Sequence, residues 1–206
     1  MADRVDEFWR WFVAHDMDVR EAYEALNSNW LDAELSARVK RIARGASWEI
    51  GPYSPPDNAL VLSPGTRKEL SAVKAAVARA PRIDGWRFIA CKPPKDLLSL
   101  TFELANVSTN ADSWVYRMTS YNGGEFADLE IFFGASDAPP PGKEATLCEL
   151  VVEAILGEEI RLDRIGVITP VSVSNVRAIE DTSGIRHLKT HLMEVLRPLA
   201  SNAGVG

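Results

Sequence analysis

His187, His191 and Glu194, near the end of the chain, stand at spacings of four and three. That spacing places them on one helix face, and zinc accepts imidazole and carboxylate ligands in such a set. A zinc-protease helix carries its base directly after the first histidine, and Leu188 stands there instead. The trio also borders a leucine stripe, where solvated polar residues belong, so no metal or other cofactor is expected. Cys91 precedes the cationic turn Lys92-Pro93-Pro94-Lys95, but no histidine is close in sequence to draw off its proton. Ser63-Pro64-Gly65-Thr66-Arg67-Lys68 sits at a helix start, where free amides and two cations favour an anion. It has a single glycine and lacks the Gly-Lys-Ser/Thr ending of a phosphate loop. There is no Gly-x-Ser-x-Gly elbow for a serine nucleophile. Arg87, Lys92, Lys95 and Tyr121 lie at strands or strand ends beside two turns, and a small-molecule site would draw on them.

Other residues suit a partner better than a reaction. Of six tryptophans, Trp11 and Trp30 are the least committed to apolar stripes, and tryptophan is frequent at recognition surfaces. In the segment 144–156 apolar residues occupy most directions and leave Glu149 and Glu153 as a narrow acidic ridge. Charge is segregated as well. Residues 66–95 hold eight basic side chains against two acidic ones, whereas 121–160 hold nine acids against Lys143. With a net charge of −6 the chain is a poor ligand for duplex nucleic acid, which demands a basic surface. No apolar run approaches the roughly 20 residues of a membrane span. The charged start lacks a secretory pattern, and two unpatterned cysteines read as small buried hydrophobes. Those signs indicate a cytoplasmic protein.

The elements that must carry these residues follow from apolar period. Val5, Phe8, Trp9, Phe12 and Val13 form the stripe of an aromatic first helix, which Asp16 should stop near His15. A second helical stretch is expected over 19–26. A third follows with Leu31, Leu35, Val39 and Ile42, capped by Ser28 and ended at Gly45. Short strands are expected at 47–50 and 59–63 around a proline-rich loop, and Thr66 with Glu69 reads as a capping box for the next helix. Strands follow at 86–91, 98–104, 114–120 and 126–133, the last two joined through Tyr121-Asn122-Gly123-Gly124-Glu125. A helix over 144–156 and a strand near 165–173 come next, and Pro170 pushes that strand to an edge or a bulge. A helix over 185–199 precedes a tail, 201–206, expected to be disordered. The pattern predicts an α+β fold, a mostly antiparallel sheet with helices on one face. It is read as one domain over 1–200, helical to residue 45 and sheet with helices from 46.

Trp48-Glu49-Ile50-Gly51-Pro52, Gly85-Trp86-Arg87-Phe88-Ile89-Ala90 with Lys92-Pro93, and Leu156-Gly157-Glu158 together resemble an uncharacterised bacterial protein family, a domain of unknown function. The likeness spans about residues 5–175 and implies the same organisation, with no activity attached. The residues themselves favour a non-enzymatic protein-binding or regulatory module, with a protein partner or a second copy of the chain. The alternative is a small-molecule binder or enzyme with its site at the strand ends. A further version is an immunity-type protein whose acidity neutralises a basic toxin.

Overall fold

A computed structural model describes residues 2–96 and 98–196; the expected tail and positions 197–199 of the helix expected over 185–199 lie outside these. The chain divides into two compact units, one ending at Lys92 and one beginning at Pro93. Each encloses its own cluster of buried apolar side chains.

The N-terminal unit begins with α1 (Ala2–Glu24), whose stripe of Val5, Phe8, Trp9 and Phe12 is buried. A straight helix would carry Asp16 into that stripe. The backbone instead leaves helical geometry at His15 (φ −129°, ψ 16°), and the remaining turns bury Val19 and Ala22. The two helical stretches expected from the sequence are therefore one helix with a kink. The next helix, α2 (Ser28–Ile42), is capped by Asn27 rather than Ser28, because the Asn27 side chain reaches the Trp30 amide at 3.2 Å.

Strands β1 (Ser47–Ser54) and β2 (Asp57–Ser63) form an antiparallel hairpin that runs well into the proline-rich segment expected as a loop. β1 is an edge strand, where Pro52 costs no ladder bond if its nitrogen faces outward. Helix α3 (Arg67–Val77) then carries the chain to β3 (Trp86–Ala90), which lies parallel to β2. The Trp9 indole donates to the Ala76 carbonyl at 2.9 Å and ties α1 to α3. At the start of α3 the expected capping box takes another form. The Glu69 carboxylate accepts the Gly45 amide at 2.5 Å and the Thr66 hydroxyl at 3.1 Å, and Thr66 makes no side-chain bond to the helix amides. The chain's own carboxylate thus sits beside the helix start read as an anion site. Gly65 adopts φ 72°, and a Cβ there would overlap the Gly45 carbonyl, so glycine is required.

In the C-terminal unit, β4 (Thr101–Leu104) and β5 (Val107–Asn110) form a separate hairpin. Its two-residue turn places Ala105 and Asn106 at φ 52° and 59°, the left-handed pair that matches strand twist. β6 (Val115–Tyr121) and β7 (Phe126–Phe133) pair in antiparallel fashion. Helices α4 (Glu144–Leu156) and α5 (Glu158–Arg164) then cross to β8 (Ile165–Ser172), parallel to β7. The two-residue β9 (Ser183–Gly184) closes the order β8-β7-β6-β9, ahead of α6 (Leu188–Val195). Pro170 lies in an edge strand, as its missing donor requires. Ala127, Leu129, Ile131 and Phe133 alternate into the core against Leu147, Val151 and Leu188. The fold is α+β, and antiparallel pairings outnumber parallel ones.

Two buried polar atoms among the described side chains lack a partner: Trp86 Nε1 and Thr109 Oγ1. Thr109 is 3% exposed, so its hydroxyl has given up water for nothing. Thr109→Val keeps the branched shape and removes the orphan group. It is expected to stabilise the protein by about 1 kcal/mol. That corresponds to a rise of roughly 2–4 °C in the melting midpoint. A lower midpoint would show that the hydroxyl is satisfied in solution.

Candidate functional site

A groove of the N-terminal unit lies between α1 and α2, encloses about 390 Å³ and has Trp11 on its wall. Phe8 forms its apolar base, while Arg4, Arg38 and Arg41 surround it and Glu7 is the acid on its wall. The helices position these groups by simple spacing. Residues 4, 8 and 11 share one face of α1, and 38 and 41 share one face of α2. The Arg38 guanidinium lies 4.1 Å from the Trp11 ring centroid, an attractive cation–π placement, and its Nη1 pairs with Glu34 at 2.8 Å. Arg41 grips both carboxylate oxygens of Glu7, at 2.8 and 2.6 Å. The His15 ring stacks on Trp11 at 5.1 Å, with Nδ1 2.8 Å from the Trp11 carbonyl. The kink and the indole therefore hold each other in place. Trp11 is half-buried, and the groove suits an apolar side chain accompanied by a carboxylate.

A second depression, about 430 Å³, belongs to the C-terminal unit. Lys95, Arg186 and Lys189 line it together with Asp96 and Thr190, over Leu100 and Ile155. Arg186 is anchored: its Nη2 donates to the Leu98 carbonyl at 2.8 Å and meets Asp112 at 2.5 Å. Asp112 in turn accepts the Leu100 amide at 3.2 Å. Burial pushes the Asp112 carboxyl up, but that amide and Arg186 outweigh it and hold it below the usual carboxylate range. The pair therefore persists at neutral pH and is lost only in acid.

The remaining sequence candidates are dispersed. Arg87 and Lys92 belong to the N-terminal unit, where they pair with Asp57 at 2.8 Å and Glu49 at 2.7 Å. Lys95 and Tyr121 belong to the C-terminal unit. The Tyr121 ring lies tilted against Phe126, 5.6 Å between centroids, and its hydroxyl fills the space beside Gly166 together with Asp128. Asp128 Oδ1 accepts the Val167 amide at 2.8 Å where the β7–β8 register slips, so this cluster supports a bulge. Trp30 packs partly against the core beside Asp18 and Glu21. On α4, Glu149 pairs with Arg161 of α5 at 3.1 Å, and Glu153 is half-buried, so the ridge is partly neutralised within the chain. Both cysteines are buried free thiols, and burial, aided by Glu144 and Glu149, pushes Cys148 up to about 12. Cys148 is no nucleophile at neutral pH.

The histidine trio takes a different form from the metal set weighed above. The His187 and His191 rings stack at 6.0 Å, and His191 Nδ1 lies 2.7 Å from the Tyr116 hydroxyl. Among the described residues no three His, Cys, Asp or Glu side chains are grouped to hold a metal ion. No helix among them is long and apolar enough to cross a membrane. The sequence reading missed Arg4, Arg38 and Arg41 around Trp11, and Arg186 and Lys189 beside Lys95. The single available signal was helical spacing, which looks the same for a solvated face.

Set against family models, curated proteins and solved structures, the chain matches none.

Burial pushes the Tyr116 phenol up to about 12; a bond to Ser183 opposes this and the Glu194 charge adds to it. An unfolded tyrosine ionises near pH 10. The native state therefore favours the neutral phenol. Its stabilising contribution is complete below about pH 10 and is lost as pH climbs towards 12. Denaturant midpoints measured from pH 9 upwards should fall more steeply for the wild type than for Tyr116→Phe, relative to their neutral values. Parallel curves would show that Tyr116 is not held neutral by the fold.

Proposed function

We propose that the chain is a non-enzymatic protein-binding or regulatory module, and that the α1–α2 groove receives a short acidic segment of its partner. The observation that carries this reading is the combination in one groove of a half-buried indole and three arginines, of which Arg38 and Arg41 are held in place by Glu34 and Glu7 while Arg4 stands exposed beside them. Arginine and tryptophan are the residues on which interface energy concentrates, since each couples a large contact area to directional bonding. A carboxylate of the partner meets the guanidiniums, and a neighbouring apolar side chain rests on Phe8 and Trp11. Two buried free thiols support a reducing, cytoplasmic setting. The charge of the C-terminal unit supports a second version of the same class. From residue 93 onward the sequence has 9 basic and 16 acidic residues, against 14 and 13 before it. A surface of that sign suits a cationic protein, and an immunity-type role fits there.

An array of acidic peptides bearing a leucine or an aromatic residue tests the groove. The full chain is expected to retain a subset of them, less well as salt rises. Arg4→Glu, an exposed change, and Trp11→Ala are each expected to weaken retention about tenfold, a loss of roughly 1.4 kcal/mol. An array with no salt-sensitive binder, or variants that bind as the wild type does, would remove the groove from consideration.

A further inference from the structure

The C-terminal unit is acidic, yet its described cations are unevenly used. Arg117, Arg161 and Arg164 pair with Glu130, Glu149 and Asp163. Lys95, Arg186 and Lys189 instead converge on the depression floored by Leu100 and Ile155. Of these, Arg186 is locked by Asp112 and the Leu98 carbonyl. Lys95 is located by its backbone amide, which donates to the Ala154 carbonyl at 2.8 Å, while Lys189 stands in the first turn of α6. No carboxylate of the described chain pairs with the Lys95 or Lys189 ammonium groups. In a unit with acids in excess, two lysines without a carboxylate partner among the described residues and an arginine anchored by Asp112 leave the hollow with three cations against Asp96 on its rim.

We propose that this depression binds a small organic anion, with its carboxylate or phosphate between Lys95, Arg186 and Lys189 and its apolar part on Leu100 and Ile155. The volume of about 430 Å³ falls within the range of small-ligand pockets. A guanidinium offers five donors, so Arg186 can serve a ligand oxygen while it remains tied to Asp112. Two ammonium groups add point charges that adapt to an anion of either shape. The Thr190 hydroxyl offers a further donor at the rim. Asp96 on the same rim disfavours a bare, highly charged ion and favours a ligand whose apolar body occupies the floor. This site is distinct from the groove of the N-terminal unit in residues and in ligand, so either can fail without the other.

Calorimetric titration of the full chain with phenyl phosphate, benzoate, inorganic phosphate and phenol tests the proposal. At least one of the two aromatic anions is expected to bind, more tightly than inorganic phosphate or phenol, and the better of the pair identifies the head group. Lys95→Glu and Lys189→Glu are each expected to weaken that binding at least tenfold. Lys143→Glu, an equal change of charge outside the depression, should leave it unchanged. Lys95→Gln and Lys189→Gln serve as milder versions if charge reversal disturbs folding. A silent titration with both aromatic anions, an equal loss in Lys143→Glu, or full binding by the Lys95 and Lys189 variants would each overturn the site.

Discussion

Each unit is organised around a strand that lies between an antiparallel and a parallel neighbour and must satisfy its backbone on both sides. β2 lies between β1 and β3, and β7 lies between β6 and β8. An inner strand has no edge open to water, so every amide and carbonyl needs a neighbour, and its apolar residues must be covered. Leu60 and Leu62 in β2, and Leu129 and Ile131 in β7, are almost wholly buried. The neighbour that precedes each central strand arrives by a tight turn and is antiparallel. The neighbour that follows is parallel, which a tight turn cannot achieve; the chain must cross back over a longer path. That path is α3 in the first unit and α4 with α5 in the second, and these helices supply the cover the strand requires. Hairpin, helical crossover and parallel strand thus recur in the same order in both units. No sequence period announces the recurrence.

This constraint also explains what the sequence disclosed. β7 and α4 run over the residues their patterns predict, 126–133 and 144–156, because alternation and helical period are local properties. The break at His15 was legible for the same reason, since Asp16 collides with the apolar stripe. The parallel partnerships of β3 and β8 were not legible, because pairing across a crossover leaves no mark on either strand. β5 escaped because its turn uses Ala105-Asn106 where a glycine is the usual sign. Seven-residue α5 and two-residue β9 are too short to show a period. Neither candidate site could be assembled from sequence, since Trp11 meets Arg38 across two helices and Lys95 meets Lys189 across 94 positions of chain. Residue type pointed to Trp11 and Lys95, and tertiary structure supplied their company.

Polar groups are disposed with the same economy. Glu69 joins the exit of α2 to the entrance of α3, and Asp128 takes over a backbone amide where the ladder slips. Asp112 anchors Arg186. In each case a carboxylate does work that the regular hydrogen-bond pattern leaves undone. Lys95 and Lys189 stand out because no carboxylate among the described residues takes them up in this way.

The prolines at the outer strands bear on how the molecule keeps to itself. Pro52 in β1 and Pro170 in β8 each occupy a sheet margin. Wherever a proline nitrogen faces outward, an incoming chain finds one fewer hydrogen to grasp. Sheet-to-sheet growth, the route by which β-rich proteins become insoluble, meets an obstacle at those two positions.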